Sequence, residues 1–128
     1  MDCPVCREAM VTCELNEVEV DYCPSCTGIW LDEGELEILL GNSDNAHKLL
    51  HSFKKVSDHS EILRKCPICL KKMNKIIVSD SQNPLILDKC AKDHGLWFDK
   101  GELQEIVKRA DLDCENKIQN ALADMFNI

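Results

Sequence analysis

The chain has 128 residues, a net charge of −8, a sequence pI near 4.9 and nine cysteines. An acidic balance works against whole-chain nucleic-acid binding, which rests on Lys and Arg releasing counterions. No apolar run approaches the roughly 18 residues of a membrane span, so a membrane protein is not expected. The chain opens Met1-Asp2-Cys3, where a signal would carry a basic and then an apolar stretch, so the expectation is a cytoplasmic protein whose thiols stay reduced.

Cysteines organise the first forty residues. Cys3-Pro-Val-Cys6 and Cys23-Pro-Ser-Cys26 are two pairs separated by a strand-length gap, the ligand spacing of a tetrahedral zinc site. Between them, Met10–Leu15 and the alternating Val18–Tyr22 read as strands around a turn at Asn16-Glu17. A lone hairpin is marginal in water, so metal is expected as its clamp, supplying on the order of 10 kcal/mol. Four thiolates leave no open coordination position for catalysis. A redox pair would need one Cys-x-x-Cys near a βαβ unit, and that pattern is absent. An odd cysteine count in such regular pairs also argues against a disulfide framework. Further on, Asp32 and Glu35 form a capping-box-like helix start. Leu36, Leu39 and Leu40 repeat at helical spacing, and Gly41 is a natural stop. Trp30 is expected to pack this helix onto the hairpin.

Residues 42–63 read as a polar, partly helical linker of zero net charge, with Ser43-Asp44 capping a helix that carries Leu49, Leu50 and Phe53. His47 and His51 are four apart, as a helical metal pair would be. No cysteine or carboxylate cluster supports them, so a solvated helix face is expected.

A second copy of the frame follows. Cys66-Pro-Ile-Cys69 is 63 residues beyond the first pair, whereas Gly95, Trp97, Asp99, Gly101, Glu102 and Leu103 follow their counterparts by 67. Four residues are therefore inserted between the knuckles, and Ser79–Pro84 is the stretch rich in turn residues. Cys90 is the third ligand by spacing. The residue matching Cys26 is Asp93, with His94 next to it. Imidazole is a commoner partner for thiolates than a carboxylate, so His94 is predicted as the fourth ligand. A three-ligand site with bound water would be the single opening for metal catalysis. Cys13 and Cys114 are left over and read as small core residues.

Charge is uneven along the chain. Residues 1–41 carry one basic and ten acidic side chains, residues 64–109 ten basic and six acidic. Lys54, Lys55, Arg64, Lys65, Lys71, Lys72 and Lys75 form a basic stretch, but only Phe53 lies nearby, so base stacking is not signalled. Beyond residue 109, Leu112, Ile118, Leu122, Met125 and Phe126 make an apolar stripe near helical spacing, read as an amphipathic helix folding back on its own chain, with a homodimer seam as the alternative. No Gly-rich phosphate loop and no Ser-His-Asp order is present, and the chain is not expected to be an enzyme.

Cys-Pro-x-Cys, followed by Asp-x-Cys-Pro-x-Cys-x-Gly-Ile-Trp-Leu-Asp-x-Gly-Glu-Leu, resembles the prokaryotic zinc-ribbon family named after transcription factor IIB. The second copy, with His-Gly-Leu-Trp-Phe-Asp-x-Gly-Glu-Leu, is similar to the variant in which His replaces the last Cys. The resemblance covers residues 1–41 and 64–109. It implies a zinc ribbon, a cytoplasmic protein without enzymatic activity and a link to nucleic acids or transcription, though fold alone does not fix function.

The expectation is thus a small metal-stabilised α+β protein of two tandem zinc ribbons. Ribbon 1 spans 1–41, the linker 42–63, ribbon 2 64–109 and a C-terminal helix 110–128. Two Zn²⁺ would be held by Cys3, Cys6, Cys23 and Cys26 and by Cys66, Cys69, Cys90 and His94. The expected role is an adaptor contacting another protein. A nucleic-acid-binding or transcription-associated factor using the basic stretch 54–75 is the alternative.

Overall fold

A computed structural model describes residues 1–15, 17–41, 44–56, 64–78 and 85–110. The C-terminal stripe, Cys114 and the Ser79–Pro84 segment lie outside the described residues. The elements are β1 (Val11–Leu15), β2 (Val18–Tyr22), β3 (Ile29–Asp32), α1 (Glu35–Leu40), α2 (Asp44–His51), β4 (Phe53–Val56), β5 (Asn74–Val78), β6 (Leu85–Lys89), β7 (Gly95–Phe98) and α3 (Glu102–Ala110). Strand, strand, strand, helix thus occurs twice. The two hairpins have strands of equal length, but residues 16–17 connect the first and residues 79–84 the second. That difference is the four-residue insertion.

All seven strands form one antiparallel sheet in the order β1-β2-β3-β7-β6-β5-β4. The halves meet where β3 pairs β7, with Ile29 opposite Phe98, Trp30 opposite Trp97, Leu31 opposite Leu96 and Asp32 opposite Gly95. Successive strand residues point to opposite faces. Ile29, Leu31 and Phe98 therefore join Val18, Val20, Ile76, Val78 and Leu87 in one apolar cluster. Leu36, Leu39 and Leu40 of α1, Ala46 and Leu49 of α2 and Leu103, Ile106 and Val107 of α3 complete it. The three helices share a single core under a continuous sheet, and that core belongs to both halves.

Trp30 and Trp97 point the other way, into a second cluster with Cys3, Cys23, Cys66, Cys90 and Met73. Trp30 does not pack its helix onto the hairpin: period-two alternation puts it on the face opposite Leu31 and α1. The strands β3 and β7 were not foreseen as strands, nor was β4. Phe53 opens β4 rather than extending the linker helix, because α2 stops at His51 and the chain turns to pair with β5. His47 and His51 are exposed on α2, with no metal-holding group around them among the described residues.

The helix starts are also half as expected. Glu35 accepts the Asp32 backbone N–H and Glu102 that of Asp99, both at 2.7 Å, which is one arm of a capping box. The aspartate side chains serve the tryptophans. Asp32 Oδ1 accepts the Trp30 indole N–H at 2.8 Å and Asp99 Oδ1 that of Trp97 at 2.9 Å. A buried indole N–H needs a partner, and the Trp-x-Asp spacing provides one in each half.

Candidate metal centres

Four tight turns build the two sites. In each, the backbone N–H of the leading cysteine is donated to a carbonyl five residues on: Cys3 to Glu8, Cys23 to Gly28, Cys66 to Lys71 and Cys90 to Gly95, at 2.7 to 3.1 Å. Each turn reverses through one left-handed residue: Arg7, Thr27, Leu70 and Asp93, with φ of 65°, 61°, 62° and 59°. In the first three, that residue follows the second cysteine and donates its N–H to the carbonyl of the first. The fourth turn is one residue tighter, since Asp93 N–H reaches the Cys90 carbonyl from only three residues away. That shift moves the next residue, not Asp93, toward the cysteines. Asp93 is spent on the turn, and its exposed carboxylate lies 3.5 Å from Lys89 Nζ. His94, the next residue, is carried to the cysteines.

The structure gathers Cys3, Cys6, Cys23 and Cys26 in one group and Cys66, Cys69, Cys90 and His94 in another, with all ligand atoms of a group within 4.8 Å of one another. Sulfur separations are 3.5 Å for Cys3–Cys26, 3.2 Å for Cys6–Cys23 and 3.7 Å for Cys69–Cys90. His94 Nδ1 lies 3.4 Å from Cys90 Sγ and 3.8 Å from Cys66 Sγ. A disulfide needs about 2.05 Å, so these are not bridges. Zn–S bonds of about 2.3 Å at the tetrahedral angle set sulfurs roughly 3.8 Å apart. Both groups fit zinc.

The leading cysteine of each turn is buried and accepts backbone N–H bonds at its sulfur. Val5 and Cys6 donate to Cys3, Cys26 to Cys23, Ile68 to Cys66 and Lys92 to Cys90, at 3.4 to 3.5 Å. These bonds favour thiolate; burial opposes it. At Cys3 and Cys66 burial is the larger effect and pushes the thiols up, Cys66 to about 11. At Cys23 the burial cost is outweighed by the N–H groups of Cys26 and Ser25 and by its cysteine neighbours, which hold it at about 7. At Cys69 the Lys71 backbone N–H, with His94 and the neighbouring thiols, holds it at about 6. Each cluster thus mixes a readily ionised thiol with one that resists. A bound dication would let all of them ionise.

Cys13 is half-buried on β1, away from both groups. Of the basic stretch, Lys54, Lys55, Lys65, Lys71 and Lys72 are exposed, but Lys75 is not part of any basic surface: it is buried against Asp88, Nζ to Oδ1 2.5 Å. Sequence position alone grouped it with its neighbours, whereas β5 turns it to the tryptophan face of the sheet, opposite Asp88, which in turn stands opposite Trp97. No described helix is long and apolar enough to cross a membrane.

No curated protein and no solved structure matches the chain. The transcription factor zinc-finger family, a zinc ribbon of transcription factor IIB type, does match, and residues 2–41 are the part of this chain that resembles it.

Proposed function

We propose that this chain is a non-enzymatic tandem zinc-ribbon module acting as a cytoplasmic protein–protein adaptor. Ribbon 1 spans residues 1–41 and ribbon 2 residues 64–109, joined by the 42–63 linker and followed by a helix over 110–128. Cys3, Cys6, Cys23 and Cys26 hold one Zn²⁺, and Cys66, Cys69, Cys90 and His94 the other. The observation that carries this reading is the four-donor grouping at both sites: a filled tetrahedral sphere is structural, and a catalytic zinc keeps a position open. Zinc supplies charge neutralisation and a clamp. The chain's own residues supply the N–H bonds to sulfur, the imidazole of His94 and the Trp pair between the sites. The transcription-factor description of the matched family and the exposed lysines favour a second reading, a nucleic-acid-binding or transcription-associated factor.

Elemental analysis of protein purified without added metal tests the first reading. Two zinc ions per chain are expected, falling to one in His94→Ala and staying at two in Asp93→Ala. A second zinc that survives His94→Ala would mean three protein ligands and an exchangeable position, which reopens metal catalysis.

A further inference from the structure

The leading turns of the two ribbons stand side by side and enclose a cleft of about 110 Å³. Pro4 and Arg7 wall it from ribbon 1, and Lys65, Pro67 and Leu70 from ribbon 2, with Asp2 adding one carboxylate. Leu70 is 69% exposed, and Ile68 and Met1 nearby are each 47% exposed. Leu70 also holds a left-handed backbone, φ 62°. That region suits Gly or Asn and is rare for bulky residues. The turn itself requires that backbone, as at Arg7, Thr27 and Asp93; what sets Leu70 apart is an aliphatic side chain left in water on the cleft wall.

Charge identifies what would cover it. Arg7, Lys65, Lys71 and Lys72 are exposed, and none forms an ion pair with a described residue. Arg7 and Lys65 stand on the cleft wall with Asp2, and Lys71 and Lys72 follow Leu70, with Lys72 in a β-bridge to Lys65, so cations outnumber the one carboxylate of the wall on a chain of net charge −8. Screening limits each charge's reach to about 8 Å at physiological salt, so an approaching ligand meets these cations rather than the whole chain. Cations beside thiolates would also offset the charge of a metal site. Leu70 and Ile68 do nothing of the kind, and they decide for a ligand that is apolar as well as anionic. Among the described residues, no aromatic side chain lies on the cleft wall to stack a base.

We propose that this inter-ribbon cleft is the docking site of an acidic peptide segment bearing aliphatic side chains, the aliphatic group seating on Leu70 and Ile68 and the carboxylates facing Arg7, Lys65, Lys71 and Lys72. The proposal rests on the adaptor reading and gives it a surface and a partner chemistry.

A displayed random-peptide library selected on the zinc-loaded full chain tests it. Enriched peptides should combine Asp or Glu with Leu, Ile, Val or Met, bind more weakly as salt is added, and lose about tenfold or more in affinity to Leu70→Asn and to Lys65→Glu. Asn accepts the left-handed backbone, so Leu70→Asn should keep both zinc ions and an unchanged or higher thermal midpoint. Enrichment of basic peptides, or binding indifferent to both substitutions, overturns this site and leaves the adaptor reading standing. If no peptide enriches while a single-stranded oligonucleotide binds and Lys65→Glu weakens it, the site and the adaptor reading fall together. Binding of neither overturns the site.

Discussion

The two halves place the same pair of positions in opposite surroundings. Thr12 and Asp21 are cross-strand partners in the first hairpin, Lys75 and Asp88 in the second. Both aspartates stand opposite a tryptophan, Asp21 by Trp30 and Asp88 by Trp97. In the first half the pair is a hydrogen bond at the surface, Thr12 Oγ1 to Asp21 Oδ1 at 2.5 Å. In the second it is an ion pair whose side chains are each 1% exposed. Their flanks differ: β1 is a sheet edge, while β4 lies beside β5 with Val56 opposite Lys75. Met10 and Met73 differ likewise, one half-buried and the other buried. The repeat preserves three donors of each four, the tryptophans and the glycines between them, while His94 stands one residue past the counterpart of Cys26. What lies beside the repeat sets the chemistry of the rest.

The strongest test of how far the halves are separate is metal loss at one of them. A structural zinc is worth on the order of 10 kcal/mol, so Cys23→Ser should abolish the first site and melt β1 and β2. The β3–β7 pair and the common core then predict that the second half weakens too. Amide exchange in β5 and β6 of the zinc-loaded variant should speed up relative to the parent. Unchanged protection there would reduce the molecule to two independent beads.

The hairpin pair gives the next effect. Removing one partner of a buried ion pair leaves a buried charge uncompensated and costs about 3–5 kcal/mol. Lys75→Met should therefore shift the urea midpoint strongly. Thr12→Val removes a surface hydrogen bond and should cost at most about 1 kcal/mol. Equal shifts would mean that the flanking strand does not distinguish the two positions.

A smaller effect probes the seam itself. Gly28 and Gly95 are counterparts, and each lies against the other half. A Cβ at Gly28 would stand 2.2 Å from the Trp97 ring, and one at Gly95 2.2 Å from the Leu31 carbonyl oxygen and 2.7 Å from the Trp30 ring. Overpacking costs about 1–3 kcal/mol. Gly95→Ala should lower the thermal midpoint more than Gly28→Ala, because a paired backbone yields less than an indole. The reverse order would make the tryptophan the stiffer wall.

Cysteine spacing made the donor sets legible, and the 67-residue offset made the repeat legible, because both are properties of short local sequence. The hairpins were legible for the same reason. The central pair was not. Ile29–Asp32 and Gly95–Phe98 are four-residue runs, too short for alternation to announce a strand, and their partners lie 63 to 69 residues away. Asp32 looked like a cap because Glu35 follows at the right distance, yet the indole two residues earlier takes its carboxylate. Lys75 read as surface charge because sequence counts charges without the phase of the strand that carries them. That His94 rather than Asp93 lies beside the cysteines was not legible in the repeat, because it comes from a turn one residue shorter than its three counterparts.

Acid crowding in the first half yields the smallest effect. Burial raises the Glu35 carboxyl above its ordinary range. The Asp32 N–H works against that, and the charges of Asp32, Asp21 and Glu19 add to the rise. A carboxyl raised in the folded state binds its proton more tightly there than in the unfolded chain. Stability is then highest below the ordinary carboxylate range and is lost as pH rises through it. Glu35→Gln keeps an oxygen to accept the Asp32 N–H and removes the charge. It should stabilise slightly at neutral pH, with the gain vanishing as pH falls through the range in which the carboxyl protonates. Glu102→Gln, in the half with the positive balance, should show no such gain. Urea midpoints at paired pH values measure both, and equal gains from the two substitutions would show that the halves do not differ electrostatically at their helix starts.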